Sequence, residues 1–168
     1  MNVLSDHYGG LFERIDWYTI NDGGEDMQNP EHSFGLLYGP NNKNSFGVKP
    51  GYLSATNFNA IMTDAQYIEG IETGECVSAY RYKLRDGRDC VISWRIDNGN
   101  EIAGLDLGCD KVTMVDMYGN EQELYAKDGV FTISYGIEPV YLIGDFDKLE
   151  GKDPKFALSK SNVDCILR

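Results

Sequence analysis

The chain has 168 residues, of which 42% are hydrophobic and 25% charged, and its formal net charge is −12. This length and composition predict about one globular domain with a real hydrophobic core, and they exclude a disordered chain. The acidic excess disfavours nucleic-acid binding, and no apolar run approaches the roughly 20 residues of a membrane-spanning helix.

The N-terminal region, residues 1–66, is predicted to contain one strand, one long loop and one helix. Its first residues have neither the basic nor the apolar region of a signal peptide, and the localisation stays open. Residues 14–20 are dense in β-branched and aromatic side chains and predict a strand. Residues 21–49 are rich in Gly, Asn and Asp and predict a loop, which we expect to be mobile.

A helix is predicted over residues 50–65. Pro50 suits the first helical position, where its missing N–H costs nothing. Apolar residues then recur at helical spacing and form one stripe, made of Phe58, Ile61, Met62 and Ala65. Because one strand–loop–helix unit cannot enclose a core by itself, this region is expected to pack on other elements.

The second region, residues 67–146, is predicted to be an antiparallel β-sandwich, so that the chain as a whole is mainly β. Short strands follow one another with hairpin signals such as Asp86–Gly87 between them, although a small barrel has similar spacing. The predicted strands are residues 76–84, 89–96, 111–117, 122–126, 130–135 and 139–143. Residues 147–168 are predicted to be a linker and the start of a further strand segment.

Metal and cofactor sites are not predicted. The four cysteines, Cys76, Cys90, Cys109 and Cys165, form no CxxC or Cys/His cluster and are interpreted as small buried side chains. His7 and His32 lack the further ligands that a metal site needs.

Residues 12–146 resemble the C-terminal part of a clan A (β/α)8-barrel glycoside hydrolase. Residues 16–24 and 29–37 are similar to the eighth barrel strand and the loop after it. Residues 48–55 are similar to the start of the last barrel helix, with Gly51 where alanine is usual. Residues 112–120 and 138–142 are similar to the β-sandwich attached to such barrels.

This resemblance implies that the chain is a fragment of a retaining glycosidase. Such enzymes use two glutamates roughly 5 Å apart across the anomeric carbon. Both glutamates would precede Met1, so the resemblance implies no catalytic residue in this chain, no activity of the chain by itself, and a carbohydrate partner for the parent.

Five residues are candidates for substrate binding, and Trp17 is the first of them. The resemblance places an aromatic side chain at the end of strand eight under a sugar ring, whose C–H face stacks on an indole. Tyr18, on the opposite face of the strand, is predicted to lie in the core. The loop contributes candidate hydrogen-bond partners for sugar hydroxyls: Asn21, Asp22, Glu31 and His32. The alternative is a role in loop architecture.

Two other functions remain open. The chain could be a stand-alone carbohydrate-binding or interaction module, which would expose a row of aromatic side chains on one sheet face. The candidates for such a row are Trp94, Tyr80, Tyr82, Tyr118, Tyr125 and Tyr135, and Trp94 is predicted to be in the core instead. The third and weakest hypothesis is an independent hydrolase that uses Asp22 and Glu31.

Overall fold

The structure is a computed structural model that describes residues 3, 6, 9–10, 16–24, 26, 28–73, 77–95 and 101–152, without the side chains of 72, 73 and 101. Within these residues, the elements whose bounds are described are an α-helix, a 3-10 turn at Pro30–His32, and nine strands. The helix α1 is Pro50–Met62, and the strands are β1 Gln66–Thr73, β2 Val77–Lys83, β3 Asp89–Arg95, β4 Glu101–Asp106, β5 Lys111–Val115, β6 Glu121–Tyr125, β7 Phe131–Tyr135, β8 Val140–Gly144 and β9 Glu150–Lys152. The predicted mainly-β fold with a preceding helical unit is therefore confirmed.

The strands form two antiparallel sheets. One has six strands in the order β1-β2-β3-β8-β5-β6, and the other has three in the order β7-β4-β9. The predicted Asp86–Gly87 turn joins β2 to β3, and Gly87 N donates to Leu84 O at 3.0 Å. Gly87 has φ of +89°, a conformation that glycine adopts without strain, so the local sequence fixes this hairpin.

The main core lies between the two sheets, as a sandwich requires. Strand β7 alternates strictly, with Phe131, Ile133 and Tyr135 buried and the residues between them exposed. Leu105 in β4 and Leu107 just after that strand face the same core and have no exposed surface. Strands β2 and β3 are instead buried almost continuously, because both faces of the six-stranded sheet are covered.

Helix α1 covers the outer face of the six-stranded sheet. The predicted stripe packs there: Met62 and Ala65 are buried, and Phe58 and Ile61 are partly buried against the same cluster. The sheet supplies Tyr80, Tyr82, Ile92 and Tyr141 to this second core. The amide Nδ2 of Asn57 also donates to Asp116 O at 3.0 Å, which fixes the helix on the β5–β6 turn. The helix begins at Pro50 as predicted but ends at Met62, because Thr63 is extended and Asp64 has φ of +61°.

A buried carboxylate ties β2, β3 and the segment after β8 together. Asp89 is 2% exposed, and it accepts from Arg81 Nε at 2.9 Å, Lys83 Nζ at 2.8 Å and Phe146 N at 3.2 Å. Burial raises the pKa of Asp89, but the hydrogen bonds from Lys83 and Arg81 outweigh it and hold the pKa below its usual value.

The predicted strand 14–20 is wrong where the structure describes it. Residues 14 and 15 lie outside the described residues, and residues 16–20 form no strand. A strand needs a neighbouring strand that pairs with its backbone N–H and C=O groups. At this segment the described residues show one such contact, the bridge between Asn21 and Leu37. Three strands were not predicted, β1, β4 and β9, and β9 lies in the segment interpreted as a linker.

None of the helices among the described residues is long and apolar enough to cross a membrane.

Candidate functional site

The loop 21–49 folds into three short backbone segments that lie side by side. Leu37 N donates to Ile20 O at 2.8 Å, and Asp22 N donates to Leu37 O at 3.0 Å. On the other side Leu37 forms an antiparallel bridge with Val48, and Lys49 N donates to Leu36 O at 3.0 Å. The loop is therefore irregular, as predicted, but held by backbone hydrogen bonds.

An ion pair between Asp22 and Lys49 lies at the centre of this loop. Asp22 Oδ1 accepts from Lys49 Nζ at 2.7 Å and from Gly35 N at 3.0 Å. The Asp22 side chain is 8% exposed and that of Lys49 is 19% exposed. Lys49 Nζ also donates to Ser33 O at 2.9 Å. These contacts give Asp22 a role in the architecture of the loop, through Gly35 and Lys49 and not through the expected turn at Gly23–Gly24.

Two glycines allow the loop to fold back on itself. A Cβ at Gly35 would overlap the backbone of Asn21 and Asp22, and a Cβ at Gly24 would overlap the imidazole of His32. Because no other residue fits without displacing these atoms, the glycine-rich composition is explained by close approach.

Glu31 and His32 lie on the 3-10 turn Pro30–His32. Asn29 Oδ1 caps this turn by accepting from Glu31 N at 3.1 Å. His32 Nδ1 accepts from Asp26 N at 3.1 Å, so the neutral imidazole carries its proton on Nε2. Glu31 is exposed and His32 is partly buried. Asn21, at the other end of the loop, is exposed.

Three exposed aromatic residues lie in or just before the loop, and we call them together the aromatic surface: Trp17, Tyr18 and Phe34. Their exposed fractions are 62%, 70% and 44%. Trp17 Nε1 donates to Phe34 O at 3.2 Å, which joins the segment before the loop to the loop itself. The prediction that Tyr18 lies in the core is wrong, because the side chain is 70% exposed and residues 16–20 form no strand.

Phe34 was missed by the sequence analysis. The signal that could have found it is an aromatic residue flanked by Ser33 and Gly35 in a polar loop, where no core is available to bury it.

The sandwich offers few exposed aromatic side chains. Tyr80, Tyr82 and Tyr135 are at most 1% exposed, and Trp94 packs partly buried with its ring 5.3 Å from that of Tyr80. Burial raises the pKa of Tyr135 and that of Tyr82, whose hydroxyl also donates to Asp6. Two members of the proposed row are exposed, Tyr118 at 42% and Tyr125 at 65%.

A separate cleft of about 330 Å³ lies between α1 and the turns that follow β2 and β5. Its rim includes Asn57, Arg85, Arg88 and Glu121. The cations are partly neutralised: Arg88 pairs with Asp86 at 2.7 Å, and Arg85 lies 4.0 Å from Asp64. Within the described residues no group of three or more His, Cys, Asp or Glu side chains is placed to hold a metal.

The fold is similar to part of a family 39 glycoside hydrolase from the gut symbiont Bacteroides cellulosilyticus, with a TM-score of 0.64. The two chains are 22% identical, and the match covers 75% of this chain but only 25% of that one. This likeness shows a shared fold, and the present chain covers 25% of the length of the solved protein.

A candidate alpha-N-acetylgalactosaminidase from Bacillus halodurans matches with a TM-score of 0.38 and 13% identity, over 50% of this chain and 20% of that chain. A score this low carries no argument. No protein-family model matches the sequence, and a search of curated proteins gives no match.

Proposed function

We propose that this chain forms the C-terminal part of a retaining glycoside hydrolase and contains neither of its catalytic glutamates. Residues 1–66 are the remnant of the barrel, with the segment 14–20 in the place of its last strand, followed by the loop and the helix, and residues 67–146 form an accessory structural β-sandwich. Residues 16–20 form no strand in this chain because the barrel strands beside them belong to the rest of the parent. The fold likeness to a minor part of a family 39 glycoside hydrolase supports this assignment. The burial of most sandwich aromatics supports a structural role for the sandwich.

The aromatic surface is the part of the chain that meets substrate. An exposed indole whose N–H is held by Phe34 O is orientated before a ligand arrives, and a sugar ring stacks on it with little further loss of freedom. This fixed, exposed indole is the main observation that supports substrate binding at the aromatic surface. Asn21, Asp22, Glu31 and His32 lie in the adjoining loop and are the candidates for hydrogen bonds to sugar hydroxyls.

The first experiment is to sequence the gene upstream of codon 1. We expect an open frame that encodes a barrel with two suitably spaced glutamates. An in-frame stop followed by a ribosome-binding site directly before Met1 would overturn the fragment assignment.

The second experiment compares variants of the parent enzyme on aryl glycosides. Trp17→Ala should lower kcat/KM by at least tenfold, while Tyr125→Ala, an exposed aromatic on the sandwich, should leave it unchanged. Equal effects of the two substitutions would contradict the placement of the substrate at the aromatic surface. The 168-residue chain by itself should show no turnover.

A stand-alone carbohydrate-binding module is the second candidate, and the exposure of Tyr118 and Tyr125 is the observation that favours it. Affinity electrophoresis of the chain in soluble xylan and β-glucan tests it. Retardation that is lost in a Tyr118→Ala/Tyr125→Ala variant and kept in Trp17→Ala would favour the module over the fragment.

A further inference from the structure

We propose that Asp22 and Lys49 are positioning residues that fix the orientation of the Trp17 indole through the backbone of residues 33–35. The functional consequence rests on the proposed function, because it matters only if Trp17 meets substrate. The positioning itself is independent of that proposal.

The first step is the set of contacts on either side of Phe34. Its carbonyl oxygen accepts the indole N–H of Trp17 at 3.2 Å. The preceding carbonyl, Ser33 O, accepts from Lys49 Nζ at 2.9 Å. The following amide, Gly35 N, donates to Asp22 Oδ1 at 3.0 Å. Both neighbours of the residue that holds Trp17 are therefore fixed by the same ion pair.

The second step is the strength of this pair. Asp22 Oδ1 and Lys49 Nζ are 2.7 Å apart, and both side chains are largely shielded from water. Each charged group has a backbone partner in addition to the other, which is the condition under which a shielded ion pair is favourable. Removing one charge leaves the other shielded without its counter-charge, so the segment 33–35 should open to hydrate it.

The third step connects this pair to the sandwich. Lys49 is the N-cap of α1, and α1 is fixed on the six-stranded sheet by Met62 and by the hydrogen bond from Asn57 to Asp116 O. A continuous series of contacts therefore runs from the sheet through α1 and Lys49 to the aromatic surface. In this arrangement the accessory sandwich fixes the position of α1, and α1 in turn fixes the position of the loop through Lys49.

The experiment is 19F NMR of the whole chain labelled with 5-fluorotryptophan. The chain has two tryptophans, so two resonances are expected, and Trp17→Phe and Trp94→Phe assign them. Trp94 packs partly buried on the sheet and serves as an internal reference. In Asp22→Asn and in Lys49→Met we expect the Trp17 resonance to shift and narrow towards that of free fluorotryptophan, with the Trp94 resonance unchanged.

Two controls separate positioning from general destabilisation. Glu31→Gln removes a carboxylate from the same loop outside the network and should leave both resonances unchanged. The Asp22→Asn/Lys49→Met double variant should shift Trp17 no further than either single variant, because both act through one pair.

The proposal would be overturned by an unchanged Trp17 resonance in both single variants, or by an equal change in Glu31→Gln. A change at Trp94 as large as that at Trp17 would also overturn it, since that pattern indicates loosening of the whole fold. The readout needs no sugar and no turnover, so its failure leaves the proposed function standing, and failure of the proposed function leaves this result standing.

Discussion

Arg81 on β2 and Asp89 on β3 are diagonal neighbours across the paired strands, with Arg81 Nε 2.9 Å from Asp89 Oδ1. The aspartate is 2% exposed, and Lys83 Nζ and Phe146 N occupy its other oxygen, Oδ2. The second guanidinium branch of Arg81 donates to Phe146 O. This cluster closes the end of the sheet where β2, β3 and the segment after β8 meet.

Asp89→Asn should lower the free energy of unfolding by about 3 kcal/mol, because it removes the buried carboxylate and leaves the largely buried Arg81 with Glu69, a much more exposed partner 3.2 Å from its Nη1. Urea denaturation at neutral pH measures the change. The matched control is Asp86→Asn, three residues earlier in the β2–β3 turn, whose exposed pair with Arg88 should contribute little. A similar loss of unfolding free energy in both variants would contradict the expectation that a buried ion pair contributes more than an exposed one.

The same cluster predicts a pH dependence with a defined sign. The folded-state pKa of Asp89 lies below its ordinary value, so its contribution is present in full above the unfolded pKa of about 4. As the pH falls from there through the folded pKa, the contribution is lost. The stability difference between wild type and Asp89→Asn should therefore shrink in acid and stay constant above about pH 5. A difference that grows in acid would reverse the sign and contradict the assignment.

Tyr82→Phe should lower the free energy of unfolding by about 1 kcal/mol. The Tyr82 hydroxyl donates to Asp6 Oδ2 at 2.9 Å in a buried setting, and phenylalanine removes this bond while keeping the ring. Thermal unfolding of the two proteins is the measurement. Tyr118→Phe, which alters an exposed ring, is the control and should be neutral. An Asp6→Ala background should remove the effect of Tyr82→Phe.

Cys90 should resist alkylation until the protein unfolds. It has no exposed surface, so the reagent cannot reach the sulfur. Burial also raises the pKa of its thiol to about 12, so the reactive thiolate does not form at neutral pH. Cys109 is only partly buried and should react first. Peptide mass spectrometry after iodoacetamide treatment, in buffer and in urea, reports both sites. Modification of Cys90 in buffer at the rate of Cys109 would contradict its place in the core.

Gly35→Ala and Gly51→Ala should have opposite effects. At Gly35 an added Cβ meets the backbone of Asn21 and Asp22, whereas at Gly51 the nearest atom is Leu36 Cδ2 at 3.9 Å. We expect the Leu37 amide to exchange about tenfold faster in Gly35→Ala, equivalent to about 1.4 kcal/mol of opening free energy. Gly51→Ala should stabilise α1 by about 0.5–1 kcal/mol. Hydrogen exchange and thermal unfolding give the two values.

The same exchange experiment tests the predicted mobility of the loop. Amides in residues 21–49 should exchange faster than those of β2 and β3 even in the wild type. Equal protection of Leu37 N and of the β3 amides would show that the loop is as firmly held as the sheet.

Local signals in the sequence were sufficient for several elements. Pro50 marks the start of α1 because its fixed φ suits that position, and Gly87 marks the β2–β3 turn because the turn needs a positive φ. The stripe ending at Met62 and Ala65 gives the face that α1 buries. In each case the determinant lies within a few residues of the feature that it specifies.

The missed features depend on residues far apart in the chain. Residues 16–20 have strand composition, but strand formation depends on a neighbouring strand and not on composition. Asp22 and Lys49 are separated by 27 positions, so no local pattern reveals that they pair. The exposure of Tyr18 follows from the missing strand, because the prediction of a core position assumed a sheet around it.

The position of α1 has a consequence for recombination between genes. The helix precedes the sandwich in sequence, yet Met62 and Ala65 belong to the same cluster as Tyr80, Tyr82 and Tyr141. A chimeric protein that contained the strands without the helix would expose this apolar sheet face to water and would tend to aggregate. A cut in front of Pro50 keeps the helix with its sheet but removes Val3, which is buried in the same cluster, and Asp6, which accepts from the Tyr82 hydroxyl. The segment that has to be transferred with the strands therefore includes residues that precede the helix.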